Sequence, residues 1–349
     1  MQGRSFIRSA LPFALALGAS AASAALVPSY GVVGNVGLSV DGIGSNNATV
    51  GTVQAEIPVS ATILKAFLYT AGTPFPWYSS SPTTLDAYNS AGITLAGNAI
   101  TNYDTLVGAV STRPELGQWF TARADVTSLV QSLVVGAATS SFSWAMAEGG
   151  LNQLIDGSVL AVVYSDASLP TSSVVLLDGG QATGGETTDV LFSTPIGDPS
   201  DPTFFAHFGI ASSFSCCSQA SRITVNGDLL TNFAGNNDDG LTVTDGSLLT
   251  VGGLGDDPAN NVGSYAEDDE LYDLSPFLAA GDAGFSINTF NATNDDNIFL
   301  AHLHTTALID TINDDPIDDR DVNDVPEPGP FALVGIGLLG LLCSRRQKH

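Results

Sequence analysis

Val159-Leu160-Ala161-Val162-Val163-Tyr164 is an unbroken apolar run, entered through Asp156-Gly157 and left through Ser165-Asp166. It has the length of a strand and is too short for a core helix, and its valines suit a pleated surface. Ile63-Leu64-Lys65-Ala66-Phe67-Leu68-Tyr69 and Ile298-Phe299-Leu300-Ala301-His302-Leu303 have the same form and lie between turn residues. Gly, Ser, Thr, Ala and Val dominate the rest, Lys and Glu are scarce, and sustained helical periodicity is nearly absent. Many short strands between turn-rich loops predict an all-β fold of antiparallel sandwich or jelly-roll type.

One helical signal occurs twice. Asp125 precedes Val126, Leu129, Val130 and Leu133, which share a helical face ending at Gly136; Asp273 precedes Leu274, Phe277 and Leu278, ending at Gly281. Upstream, Lys65-Ala66-Phe67-Leu68-Tyr69-Thr70-Ala71 and Ile93-Thr94-Leu95-Ala96-Gly97-Asn98 are echoed by Ala206-His207-Phe208-Gly209-Ile210-Ala211-Ser212 and Ile223-Thr224-Val225-Asn226-Gly227-Asp228. Self-similarity at this spacing predicts two tandem related antiparallel β-domains, 25–170 and 171–311, each with one short helix. Residues 312–325, crowded with Asp around Pro316, read as an acidic, extended linker.

The two ends carry export signals. Arg4 and Arg8, the apolar stretch from Ala10 to Ala22 and Ala22-Ser23-Ala24 predict a signal peptide over 1–24, cut by signal peptidase after Ala24. At the other end Pro326-Glu327-Pro328 is followed by an uncharged run, 331–343, and then by Arg345-Arg346-Gln347-Lys348-His349. The run is short against the ~20 residues of a permanent span, and the basic end belongs on the cytoplasmic side. This order of parts resembles the PEP-CTERM sorting signal over 326–349. The resemblance implies a C-terminal transmembrane sorting helix, processing by an exosortase near Pro326-Glu327-Pro328, transient anchoring in the inner membrane, and delivery to the cell surface or beyond. It also implies an association with extracellular polysaccharide. Ala124-Asp125-Val126-Thr127, Gly157 to Asp166 and Leu177-Asp178-Gly179 resemble, in turn, an uncharacterised extracellular β-domain of prokaryotic surface proteins.

Charge narrows the partners. Without leader and tail, five basic residues, Lys65, Arg113, Arg123, Arg222 and Arg320, face 35 acids, a net charge of −30. That excludes nucleic acid, whose phosphates require clustered Lys and Arg, and leaves the tail as the only membrane contact.

The acids also suggest a ligand. Asn236-Asn237-Asp238-Asp239-Gly240 and Asn294-Asp295-Asp296-Asn297 offer the carboxylate and amide oxygens a hard cation takes, so Asp238, Asp239, Asp295 and Asp296 are calcium candidates; solvated Asx turns are the plainer reading. His302 and His304, two apart on a strand, point to one face as paired zinc or copper ligands would, with His207 a third ligand of unknown placement. Cys216-Cys217 has three options in an oxidising compartment: a vicinal disulfide, an interchain bridge or free thiols. A structural role is expected, because no basic neighbour lowers a thiol pKa. Trp77 and Tyr78, in the loop Thr73-Pro74-Phe75-Pro76-Trp77-Tyr78, could stack on sugar rings or close the end of a sandwich.

Motifs for a serine elbow, a zincin helix or a phosphate loop do not occur. The expected function is therefore a secreted, surface-sorted, non-enzymatic structural or adhesive protein of a polysaccharide or biofilm matrix. The alternatives are a carbohydrate-binding module and a secreted glycoside hydrolase with a cryptic carboxylate site.

Overall fold

The computed structural model describes residues 26–44, 50–72, 84–108, 120–149, 155–181, 185–213, 221–235, 248–259, 270–291, 297–313 and 315–316. The first half runs β1 (Val27–Gly34), β2 (Val36–Gly44), β3 (Val50–Glu56), β4 (Thr62–Gly72), α1 (Leu85–Asn89), β5 (Thr94–Leu95), β6 (Asn98–Ala99), β7 (Tyr103–Gly108), β8 (Phe120–Asp125), α2 (Thr127–Val134), β9 (Ser141–Ala147) and β10 (Gly157–Ser165). The second runs β11 (Ser172–Asp178), β12 (Glu186–Phe192), β13 (Ala206–Ser213), β14 (Ser221–Val225), β15 (Asp228–Ala234), β16 (Leu249–Val251), β17 (Leu271–Asp273), β18 (Gly284–Asn291), β19 (Asn297–Thr305), β20 (Ile309–Ile312) and β21 (Asp315–Pro316). Among the described residues every strand pairing is antiparallel. The fold is all-β, as composition and periodicity predict.

Four sheets are stacked. The outer sheet of the first half, β3-β9-β5-β6, covers an inner sheet β2-β10-β4-β8-β7. Val53, Leu95, Trp144 and Met146 from the outer sheet meet Leu68, Leu160 and Val162 from the inner one. The second half repeats the arrangement: an outer sheet β15-β14-β18-β12-β20-β21 covers an inner sheet β1-β11-β19-β13-β16, with β17 also on β13. Val190, Ile223 and Ile287 there meet Val175, Phe208 and Leu303. Matched in chain order, β2-β10-β4-β8 corresponds to β11-β19-β13-β17, and β3-β9-β5-β6 to β12-β18-β14-β15.

The two inner sheets then pack on each other. Val36, Val40, Phe67, Tyr69, Ala161 and Val163 face Val32, Val174, Leu176, Phe299 and Leu300 across a third apolar layer. This explains the opening run: Leu160 and Val162 point into the first sandwich while Val159, Ala161 and Val163 point into the seam. A strand covered on both faces has no place for alternating polar residues.

Local details follow the matched order. Ala96-Gly97 and Asn226-Gly227 are two-residue hairpin turns with positive φ at both residues, 49° and 75° in one, 53° and 90° in the other, as the type I′ turn requires. Asp125 Oδ1 accepts from the Thr127 amide at 2.9 Å, and Asp273 Oδ1 from the Ser275 amide at 2.9 Å. Val126 N donates to Ala66 O and Leu274 N to Ala206 O, at 2.9 and 2.7 Å.

Three points differ from the sequence expectation. β1 lies in the inner sheet of the second half, paired with β11 along Val27 to Gly34, so the chain crosses after Asn35 from the second sandwich into the first. The second expected helix is a single 3-10 turn, Ser275–Phe277: Gly281 follows Asp273 by eight positions, whereas Gly136 follows Asp125 by eleven, which leaves space for one turn. The stretch read as a linker from 312 begins inside a sheet, since Ile312 pairs with Val190 and with Asp315.

Candidate functional site

The third His candidate is placed by strand pairing. In the ladder between β13 and β19, His207 lies directly opposite His304, and Gly209 opposite His302. The three imidazoles share the seam face of the sheet, because β19 sends Ala301 and Leu303 to the other side. They line a half-open cavity of about 150 Å³ at the seam, together with Leu38, Ser39 and Val40 of β2 and with Gly253, Leu254 and Leu271 of the second half.

His302 is 3% exposed. Its Nε2 lies 2.9 Å from Gly252 O, and since a carbonyl only accepts, Nε2 carries the proton. Nδ1 then keeps a bare lone pair, and that atom is buried without a hydrogen-bond partner. The ring lies over Gly209, where a Cβ would meet Cε1 and Nε2; no other residue type leaves that space. His304 Nε2 is 3.3 Å from Ser172 Oγ, itself bonded to Val36 O at 2.9 Å. The Phe205 ring stands against both His207 and His304, at centroid distances of 5.3 and 4.8 Å. Burial pushes the imidazolium pKa down to about 4 for His302 and for His304, and below its ordinary value for His207, where Asp273 opposes the shift. All three rings are neutral ligands at neutral pH. As they stand, no three His, Cys, Asp or Glu side chains among the described residues converge on one metal position.

The rest of the seam is held by charge. Arg123 of β8 pairs with Asp178 of β11, which also accepts from Tyr69 OH at 3.1 Å, and the guanidinium lies 4.6 Å from the Phe67 ring centroid. Each sandwich also buries a carboxylate in a hydrogen-bonded network. Glu148 Oε1 accepts from Ser158 Oγ at 2.8 Å; Glu270 accepts from Gly235 N at 2.7 Å and from Tyr272 OH at 2.5 Å. These contacts engage one oxygen of Glu148 and both oxygens of Glu270. Sequence reading missed Arg123–Asp178, because nothing local links residues 55 positions apart.

Most sequence candidates lie elsewhere. Asp238, Asp239, Asp295 and Asp296 for calcium, Cys216 and Cys217, Trp77 and Tyr78, and the processing residues Ala24, Pro326, Glu327 and Pro328 all fall outside the described residues, as does 331–343. Among the described residues no helix is long and apolar enough to cross a membrane.

An all-β body with a histidine-lined cavity defines an architecture; the tail defines the destination. Residues 324–347 match the family model of the PEP-CTERM protein-sorting motif. The chain thus carries a PEP-CTERM sorting signal, which marks it for export, membrane-associated sorting and display at the cell surface, and which is the recognition signal of exosortase processing. No curated protein and no solved structure matches the chain.

Proposed function

We propose that the exported body is a non-enzymatic structural or adhesive component of an extracellular polysaccharide matrix. The sorting motif at 324–347 carries this reading, since a protein marked for export and sorting has its role outside the cytoplasm. The four-sheet stack supports it: a body whose two sandwiches share a buried seam and an ion pair transmits load between its ends as one piece.

The test is to mix purified full-length protein with polysaccharide from the producing cells, measuring co-sedimentation and released reducing ends, and to compare matrix retention in cells with and without the protein. Retention by the polysaccharide without release of reducing ends, and a weakened matrix in its absence, is the expected result. Release of reducing ends that disappears on acid-to-amide changes replaces the reading with a hydrolase. Retention abolished by Trp77→Ala alone, with an unchanged matrix, replaces it with a binding module. Neither retention nor a matrix change overturns it.

A further inference from the structure

The chain has four histidines, and three of them meet in the seam cavity. The fold does not require them there. The matched strand order puts Phe67 where His207 stands, Val159 where His302 stands and Ala161 where His304 stands: Phe67 pairs with Ala161 and Asp125 as His207 pairs with His304 and Asp273. Those three residues pack the seam well. Replacing apolar side chains by one buried and two half-buried imidazoles forgoes that packing, so the imidazoles serve something other than the fold.

Their chemistry specifies the ligand. A ring that donates Nε2–H to a backbone carbonyl and presents Nδ1 is the arrangement by which proteins orient a metal-binding histidine, and His302 has it through Gly252 O, with Nδ1 buried and unpartnered. Besides the three rings the lining is Leu38, Ser39, Val40, Gly253, Leu254 and Leu271, with no carboxylate among them and Asp273 outside it opposite His207, which does not suit hard calcium and does suit a borderline cation that prefers nitrogen. Two residues apart on one strand plus one directly opposite on the next is also a spacing that three imidazoles can close on a single ion.

We propose that His207, His302 and His304 form a binding site for a divalent transition-metal ion of the Zn2+ class, anchored by His302 Nδ1. Because the three rings do not yet converge, loading turns His207 and His304 about their side-chain torsions past Phe205, while His302 keeps its bond to Gly252. The ion then ties β13 to β19 at the seam, and the remaining coordination position opens to the cavity.

The experiment titrates the full-length chain with Zn2+ by calorimetry and with Co2+ by visible absorption, in the presence of excess Ca2+ to occupy acidic loops. Wild type is expected to take up one Zn2+ per chain and to show the intense visible bands of Co2+ in a low-coordinate nitrogen site. His207→Phe, His302→Val and His304→Ala, each introducing the residue found at the matched position, are expected to weaken Zn2+ by more than about ten-fold. Wild-type affinity retained in all three variants, faint octahedral Co2+ bands, or no uptake by wild type each overturns the proposal. Should a variant fail to fold, wild type alone decides: X-ray absorption of the Zn2+-loaded chain must show a shell containing three imidazole nitrogens, and a shell of oxygens or thiolates rejects the site.

Discussion

The two sandwiches share a strand order and differ in what their inner sheets show each other. The first presents Phe67, Tyr69 and Arg123 to the seam; the second presents His207, Gly209 and Leu271 at the matched places. The core between inner and outer sheet is a mix of aliphatic and aromatic side chains in both halves. We propose an internal duplication as the origin of the common order, after which the cores kept one requirement, volume and apolarity, while the seam faces diverged into complementary surfaces. The lesson is that individuality in this body lies where two copies of one architecture touch.

The strongest way to break the comparison is to remove the seam's charge from one side. Among the described residues, Arg123→Met leaves buried Asp178 with the Tyr69 hydroxyl as its side-chain partner. Removing one member of a buried pair costs about 3–5 kcal/mol, whereas replacing both members by apolar groups is close to neutral. Urea unfolding should therefore show a large loss for Arg123→Met and near recovery in Arg123→Met/Asp178→Leu. Equal stability of wild type and the single variant would mean that apolar packing alone joins the sandwiches.

A second prediction concerns Gly209, matched by Tyr69. Gly209→Ala drives a methyl into the His302 ring and should cost about 1–3 kcal/mol, as overpacking does. Adding His302→Val, the side chain that Tyr69 already faces across the ladder at Val159, should return most of it. Thermal melting of the single and double variants reads the coupling; additive losses would show that the ring is not what Gly209 accommodates.

Much of the fold is legible in residues alone because strands and turns are local. The three runs are β4, β10 and β19, and the Asp-initiated turns stand after Asp125 and Asp273 as their capping pattern predicts. The third apolar layer was written in the same runs: Val159 to Val163 has no polar alternate, so both its faces must be covered. Pairing was not legible. That β1 joins β11, or that His207 stands opposite His304 some hundred residues on, depends on register between distant strands, which hydrophobic pattern constrains only to one face. For the site, period two predicted that His302 and His304 share a face, and only the ladder could supply the third ring.

The pH dependence of the two halves should also differ. Asp41 of β2 pairs with Leu160, where β11 has Val175 opposite Leu303. Asp41 is pushed up to about 6, chiefly by burial, with the amides of Gln54 and Gly42 pulling the other way. The native state thus holds a proton that the unfolded chain has released from its carboxyl near 3.8. Its stabilising contribution is complete below that value and is lost as pH rises through 6. Asp41→Asn escapes this loss, so the variant should gain on wild type by about 2 kcal/mol between pH 4 and pH 7. Parallel profiles would show that the carboxyl is solvated.

The smallest expected effect is at the hairpins. Ala96 and Asn226 occupy the same turn position, with φ of 49° and 53°, but only the asparagine side chain is suited to it. An alanine Cβ in this left-handed region is crowded by the carbonyl oxygen, at about 1 kcal/mol, whereas asparagine visits it readily and followed by glycine is the preferred type I′ pair. Asn226 also uses its side chain, accepting from Ser286 N at 3.0 Å and donating to Phe277 O at 3.0 Å. Ala96→Asn gives the first sandwich the second's turn. It should raise stability by about 0.5–1 kcal/mol, measurable as a shift of the urea midpoint at constant slope. The gain should be smaller than the loss from the reverse change, Asn226→Ala, because the reverse also strips Ser286 and Phe277 of their partners. Equal and opposite shifts would mean that the turn's backbone alone distinguishes the hairpins, and that the Asn226 bonds contribute nothing the solvent does not replace.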